Sequence, residues 1–173
     1  MRVLSLALMA LALTGCGEGK PSSIAELNRS ITGVSSGEAA GQKWLEFDMK
    51  PQIAHSGSAF FFSASTDANE TLPKLFKFFP EENPDRVLFT LSTDLKDDFG
   101  NTKTFKVIQL AFDTADVKKI NFQRGQFTSW NLLGHVTNVE FLHPAGKEIL
   151  RDYCKDSDNA TNAALFCKSY VGT

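Results

Sequence analysis

Short runs of alternating apolar and polar residues, which begin near residue 43, most constrain the fold of this chain. Between residues 44 and 49, for example, Leu45, Phe47 and Met49 alternate with acidic residues. Successive side chains of a β-strand point to opposite faces, so this pattern indicates a strand with one buried face. We therefore expect β-sheet to supply most of the core.

Seven segments carry strand-like patterns. They are residues 44–49, 59–64, 86–93, 105–112, 117–122, 127–133 and 136–142. Short strands separated by polar turns predict a mainly β fold, an antiparallel β-sandwich or barrel of about seven strands. The alternative is an α+β fold with one antiparallel sheet. The clearest hairpin joins residues 86–93 to 105–112, because Asp97-Asp98-Phe99-Gly100-Asn101 supplies turn residues between them.

Helical spacing replaces alternation near the C-terminus. Residues 144–154 and 159–170 place their apolar side chains on one helical face each, and Pro144 stands at a first-turn position. Residues 72–79 are ambiguous, since their apolar residues also suit a helix that Pro73 would start. We expect residues 144–170 to form a helical hairpin that closes over the sheet.

The first 16 residues have the features of an export signal. Arg2 supplies a positive charge, and residues 3–13 form an apolar run that is too short to span a bilayer. The sequence Leu13-Thr14-Gly15-Cys16 then resembles the lipobox of bacterial lipoprotein precursors. The resemblance covers residues 1–16 and implies three steps: cleavage before Cys16, a diacylglyceride on its sulfur, and acylation of the new amine.

The resemblance also bears on the location and organisation of the chain. Gly17 follows Cys16, whereas Asp at that position tends to retain lipoproteins of enteric bacteria in the inner membrane. The resemblance therefore implies a lipid anchor in the bacterial outer membrane, with the domain facing the periplasm. Several acyl chains give lasting attachment.

The sequence predicts that the chain is divided into three parts. Residues 1–15 form the signal peptide, residues 16–41 the lipidated Cys and a flexible tether, and residues 42–173 a single globular domain. Gly, Ser, Ala and Glu dominate the tether. Within it, Ser23-Ile24-Ala25-Glu26 fits a capping box and predicts a short helix, whose apolar face would include Leu27.

The cysteine count predicts one disulfide. If Cys16 is lipidated, Cys154 and Cys167 remain in a compartment outside the cytosol, where paired thiols oxidise. A metal or redox site of two cysteines is the alternative, but neither a C-x-x-C spacing nor a nearby His supports it. No metal ion or other cofactor is expected.

Catalytic motifs are present only in the wrong context. Gly33-Val34-Ser35-Ser36-Gly37 matches G-x-S-x-G, but it lies in the predicted tether and lacks the preceding strand that this motif requires. The acidic residues 94–101 do not follow the order of a calcium loop. His135 and His143 flank one candidate strand and are about 26 Å apart, too far to share a metal, and His55 is remote in sequence.

Three functions remain open. The first is a non-enzymatic envelope lipoprotein that presents its domain to a protein partner, for which we expect no catalytic residues. The second is a periplasmic carrier of an apolar ligand in a cavity lined by some of the 15 Phe residues. The third is an anchored hydrolase. Nucleic acid is not an expected partner, because the net charge is −2 and no segment concentrates Lys and Arg.

The lipobox gives the first testable prediction. The mature N-terminus should be a triacylated Cys16, and Cys16→Ser should leave the chain unprocessed or unanchored. Mass spectrometry of the membrane fraction measures both. An unmodified mature N-terminus at another residue would contradict the prediction.

Overall fold

The computed structural model describes residues 19–52, 55–123, 125 and 127–172. Residues 1–18, with the predicted signal peptide and Cys16, lie outside the described residues. The strands are β1 (Ile31–Ala39), β2 (Gln42–Met49), β3 (Arg86–Lys96), β4 (Thr102–Asp113) and β5 (Val136–Phe141). The helices are α1 (Gly57–Phe78), α2 (Thr114–Val117), α3 (Ser129–Leu133), α4 (Pro144–Lys155), α5 (Ser157–Asn162) and α6 (Ala164–Tyr170), after a 3₁₀ turn at Ile24–Glu26.

All five strands form one sheet in the order β1-β2-β3-β4-β5. The pair β2–β3 is parallel, and the other neighbouring pairs are antiparallel. The prediction of a seven-stranded antiparallel sandwich or barrel is therefore wrong. The fold is α+β with one sheet, as in the alternative, but the sheet is mixed and not antiparallel. The sheet is mixed because α1 connects β2 to β3 and returns the chain to the end where β2 began.

The register defines two ends of the sheet. Trp44, Arg86 and Asp113 are aligned at one end, which we call the proximal end. Met49, Leu91 and Ile108 are aligned at the other, the distal end. The backbone N–H of Asp85 donates to the carbonyl of Lys43, so the segment after α1 reaches the proximal end.

The core lies between the helices and one face of the sheet. On that face Phe47, Phe89 and Phe112 form an aromatic row across three strands, with neighbouring ring centroids 5.3 and 5.8 Å apart. Above it, Phe61 of α1 contacts Tyr153 of α4 and Phe166 of α6. Of these five Phe side chains, four are completely buried, as is Tyr153, and Phe166 is 2% exposed.

The predicted strand at residues 59–64 is wrong, because these residues belong to α1. Phe is a strong strand former, which favoured a strand locally. The buried positions Phe61, Ala64, Ala68, Leu72 and Leu75 recur instead at helical spacing and cover the sheet with one face of a 22-residue helix. The ambiguous segment 72–79 is the last part of α1, so Pro73 lies within the helix and does not start it.

Two further predicted strands are also wrong. Residues 117–122 contain only the end of α2 and a turn, and residues 127–133 contain α3. Side chains at the helix N-termini explain both: Asp113 accepts from the backbone N–H of Ala115, and Thr128 and Asn131 form a capping box.

The sheet begins earlier in the chain than predicted. The prediction that residues 16–41 form a flexible tether is therefore corrected. Ile31–Ala39 form strand β1 and pair with β2 across a tight turn at Ala40 and Gly41, both of positive φ. Leu27 is 2% exposed and packs in the core. Because backbone pairing fixes β1 despite its Gly- and Ser-rich composition, the structured domain includes residues 19–41 and not only 42–173.

The C-terminal prediction is confirmed in its main feature. A disulfide joins Cys154 of α4 to Cys167 of α6. The predicted second helix is split at Ala163 into α5 and α6. In the described part of the chain, no helix is long and apolar enough to cross a membrane.

A close contact between α4 and the sheet gives a stability prediction. A Cβ on Gly146 would collide with the backbone carbonyl of Val107 on β4. We expect Gly146→Ala to lower the free energy of unfolding by about 1–3 kcal/mol, although Ala ordinarily favours a helix over Gly. Urea denaturation measures the change. Lys147→Ala, at the next and exposed position, should stay within about 0.5 kcal/mol of the parent; an unchanged Gly146→Ala protein would contradict the prediction.

Candidate functional site

The hairpin of β3 and β4 extends past the rest of the sheet at the distal end. The partner strands stop earlier: β2 pairs with β3 up to Leu91, and β5 pairs with β4 only from Ile108 onward. Residues 92–96 and 102–106 therefore pair only with each other in the register. We call residues 92–106 the hairpin arm. A register shift between Leu91 and Ser92 lies at its base, where a bulge changes the strand direction.

Phe99 stands at the tip of the hairpin arm with 92% of its surface exposed. The turn beneath it is held by Asp97, whose Oδ1 accepts from the backbone N–H groups of Phe99 (3.0 Å) and Asn101 (2.8 Å). Its Oδ2 accepts from the Asn101 side chain at 2.9 Å. Gly100 adopts a φ of 83°, which Gly tolerates without strain. An ordered turn therefore presents a solvent-exposed aromatic ring.

Two contacts brace the base of the hairpin arm. Lys50 Nζ lies 2.7 Å from Asp94 Oδ1, and the hydroxyl of Thr104 donates to the same oxygen. Both hydrogen bonds lower the pKa of Asp94, and the one from Lys50 has the larger effect. On the other side, the ring of Phe105 lies 5.0 Å from that of His143. The arm is thus fixed to the domain at its base and free of other strands toward its tip.

The three histidines have different surroundings. His55 is exposed. His143 caps α4, since its Nδ1 accepts from the backbone N–H of Ala145. His135 immediately precedes β5, and its Nδ1 is 2.8 Å from Asp116 Oδ2. The prediction that His135 and His143 stand at opposite ends of one strand is confirmed.

The pair of His135 and Asp116 lies in a cavity of about 450 Å³. The cavity is lined by Asp116, Lys119, Ile120, Asn121, Phe127, Asn131 and His135. The hydrogen bond with His135 lowers the pKa of Asp116. An Asp that orients a His is typical of catalytic sites, but the described lining has no Ser, Thr or Cys that could act as a nucleophile. Sequence reasoning missed this pair because its members are 19 residues apart.

Other candidate motifs have structural roles. Ser35 lies within strand β1 and not on a strand-to-helix turn, so the G-x-S-x-G match has no elbow geometry. Residues 97–101 form the turn of the hairpin arm. Among the described residues, no group of three or more His, Cys, Asp or Glu side chains is placed to hold a metal ion.

The face of the sheet opposite the helices is polar. Glu46 Oε1 accepts from the hydroxyl of Thr90 at 2.6 Å, and Gln109 Nε2 donates to the same hydroxyl at 2.9 Å. Beside them, Lys106 Nζ lies 2.6 Å from Asp48 Oδ1. These side chains contact one another across β2, β3 and β4 and give the middle of this face a polar surface.

The described part of the chain starts at the proximal end, opposite the hairpin arm. Lys20 Nζ lies 5.0 Å from the centroid of the Phe79 ring, just after α1. The chain then follows α1 in reverse: the side chain of Asn28 donates to Asp67 in the middle of α1, and Ile31 pairs with Met49 at the distal end. Three residues lie between Cys16 and Lys20, so the two Cα atoms are at most about 14 Å apart.

Comparison with known proteins assigns no family: no family model matches the chain, and no curated protein or solved structure matches it.

The turn at Phe99 gives a pH prediction. Two hydrogen bonds from Asn101 lower the pKa of Asp97: the one from its side chain has the larger effect, and the one from its backbone N–H the next. The Asp97 carboxylate therefore stabilises the turn at pH values above the ordinary Asp pKa of about 3.9. This stabilisation is lost as the pH falls through the lower pKa that Asp97 has in the folded state.

We expect the amide resonances of Phe99 and Asn101 to titrate with a midpoint below about 3.9 in an NMR pH series. Asp97→Asn should abolish this transition, which assigns it to the Asp97 carboxylate. A midpoint at or above the ordinary value would show that the turn is not held by the Asp97 carboxylate.

Proposed function

We propose that this protein is a lipid-anchored module of the bacterial envelope that binds a protein partner through the tip of the hairpin arm. The observation that carries the proposal is the placement of Lys20 and Phe99 at opposite ends of the sheet. With a lipid on Cys16, the proximal end is held near the outer membrane and the hairpin arm points into the periplasm. Confinement near a membrane raises the effective concentration toward other envelope proteins.

A protein pocket suits Phe99 better than a lipid bilayer does. Asp97 and Asp98 immediately precede Phe99, and insertion of the tip into a membrane would bring both carboxylates to an anionic surface. The anchor also directs the tip away from the membrane that holds it. From Arg86 to Phe99 the extended chain spans about 40 Å, so with the proximal end held at the membrane the tip would lie well beyond the lipid headgroups.

The form of the hairpin arm also supports binding. A single exposed apolar side chain is common and needs no explanation. Phe99 differs because the Asp97 hydrogen bonds hold the backbone of its turn, so less backbone entropy is lost when a partner binds. Aromatic anchors of this kind dominate the binding energy of many interfaces.

The two alternatives have less support. For a carrier, the Phe side chains would have to line a cavity, whereas Phe47, Phe61, Phe89 and Phe112 are completely buried in the core. For a hydrolase, His135 and Asp116 would need a nucleophile, and the described lining of their cavity supplies none. The proposal therefore remains a non-enzymatic interaction module without a cofactor.

In-cell photo-crosslinking tests the proposal. A photoreactive amino acid at the exposed Asp98 should give a discrete adduct with one envelope protein, and Phe99→Ala should reduce its yield about tenfold or more, as expected for an interface anchor. The matched control places the probe at exposed Ala164 beside Leu165, which is 78% exposed, and adds Leu165→Ala.

The control probe should give no discrete adduct, with or without Leu165→Ala. A specific adduct that Phe99→Ala leaves unchanged would contradict the role of Phe99. Absence of any protein adduct, together with a copurified lipid, would favour the carrier.

A further inference from the structure

The cavity around His135 is a second site, distinct from the hairpin arm. Its lining combines an apolar wall, Ile120 and Phe127, with polar side chains that converge on the same space. A mixed lining of this kind is typical of small-molecule sites. The polar atoms available to a ligand define its chemical class.

Two asparagines in the lining have their oxygens occupied. Asn131 Oδ1 accepts from the backbone N–H and the hydroxyl of Thr128, both at 2.9 Å. Asn121 Oδ1 accepts from the backbone N–H of Gln123 at 3.2 Å. The remaining polar group of each side chain is its NH₂, which has no hydrogen-bond partner among the described residues. Both asparagines can therefore offer donors to a ligand.

His135 and Lys119 add further donors. Nδ1 of His135 is directed to Asp116, which leaves Nε2 for a ligand; in the protonated ring Nε2 is also a donor. Lys119 Nζ lies 3.8 Å from Asp116 Oδ1. The single carboxylate of the described lining is thus paired with the Lys119 ammonium and the His135 ring, and is not left to repel an anion.

We propose that this cavity binds an oxyanion attached to an apolar group. Asn121, Asn131 and Lys119 would donate hydrogen bonds to the anionic oxygens, joined by Nε2 of His135 when its ring is protonated, and Ile120 and Phe127 would contact the apolar part. Donors of this number and type suit a phosphate ester, since hydrogen bonds to charged oxygens are the stronger ones.

The position of the cavity leaves two sources for such a ligand. Lys118, next to Lys119, donates to Asn83 Oδ1 and lies over the ring of Phe76, near the end of α1. This is the proximal end, where the anchored N-terminus leaves the domain. The phosphate could therefore belong to a lipid headgroup or to a small soluble ester.

NMR titration of the lipidated protein in uncharged maltoside micelles tests the site. The probes are inorganic phosphate, phenyl phosphate, dihexanoyl phosphatidic acid and, as a zwitterionic lipid control, dihexanoyl phosphatidylcholine. We expect phenyl phosphate to bind more tightly than inorganic phosphate and to shift the His135 ring and the side-chain NH₂ resonances of Asn121 and Asn131. Tighter binding of phosphatidic acid than of phenyl phosphate would identify the lipid source, and the reverse order the soluble source.

Asn131→Asp is the informative variant, because the new carboxylate keeps the oxygen that caps α3 and replaces the NH₂ donor. It should weaken binding of phenyl phosphate about tenfold or more, the usual loss for a hydrogen bond to a charged group. Asn138→Asp adds the same charge at an exposed position of β5 and should change the affinity less than about twofold.

Three results would overturn the proposal: no shift at His135 with any phosphate probe, equal loss of affinity in both variants, or equal binding of the anionic and zwitterionic lipids without binding of phenyl phosphate. None of them bears on the crosslinking of Phe99, so the two proposals fail independently.

Discussion

The parallel pairing of β2 with β3 is the constraint on which the rest of the structure depends. Two parallel neighbours cannot be joined by a tight turn, so the chain must return to the proximal end before β3 starts. Helix α1 makes this return and buries one face of the sheet. The N-terminal segment follows α1 in the opposite direction, and β3 leads directly into the hairpin arm. The proximal exit of the N-terminus and the distal position of Phe99 both follow from this one connection.

The strands with a clear apolar pattern of their own were predicted from the sequence. β2 and β3 alternate apolar and polar residues over most of their predicted length, β4 contains a nearly continuous apolar run from Phe105 to Phe112, and the turn at Gly100 was predicted from its residue types. The sequence did not predict α1, because the local preference of Phe60-Phe61-Phe62 for a strand hides a helical period that is clear only over 20 or so residues. Nor did it predict β1, whose Gly- and Ser-rich sequence is held in place by β2. In both cases tertiary packing overrides local composition.

The candidate sites were predictable to different degrees. The disulfide followed from counting cysteines, which requires no knowledge of the fold. The pair of His135 and Asp116 could not be foreseen, because the strand β5 and the helix α2 bring its two members together only in the folded chain. Phe99 was assigned to a turn correctly, but a turn residue can be packed or exposed, and only the free projection of residues 92–106 exposes it.

The central claim is that the two ends of the sheet have different roles, one held at the membrane and the other directed away from it. Its most direct test is energy transfer from a dye on the lipidated protein to acceptor-labelled headgroups in reconstituted vesicles. The dye is placed by an unnatural amino acid either at Asn83, near the proximal end, or at Asp98, in the tip of the hairpin arm. Strong transfer from position 83 and weak transfer from position 98 is the predicted result. Equal transfer from both positions, or stronger transfer from position 98, would contradict the account.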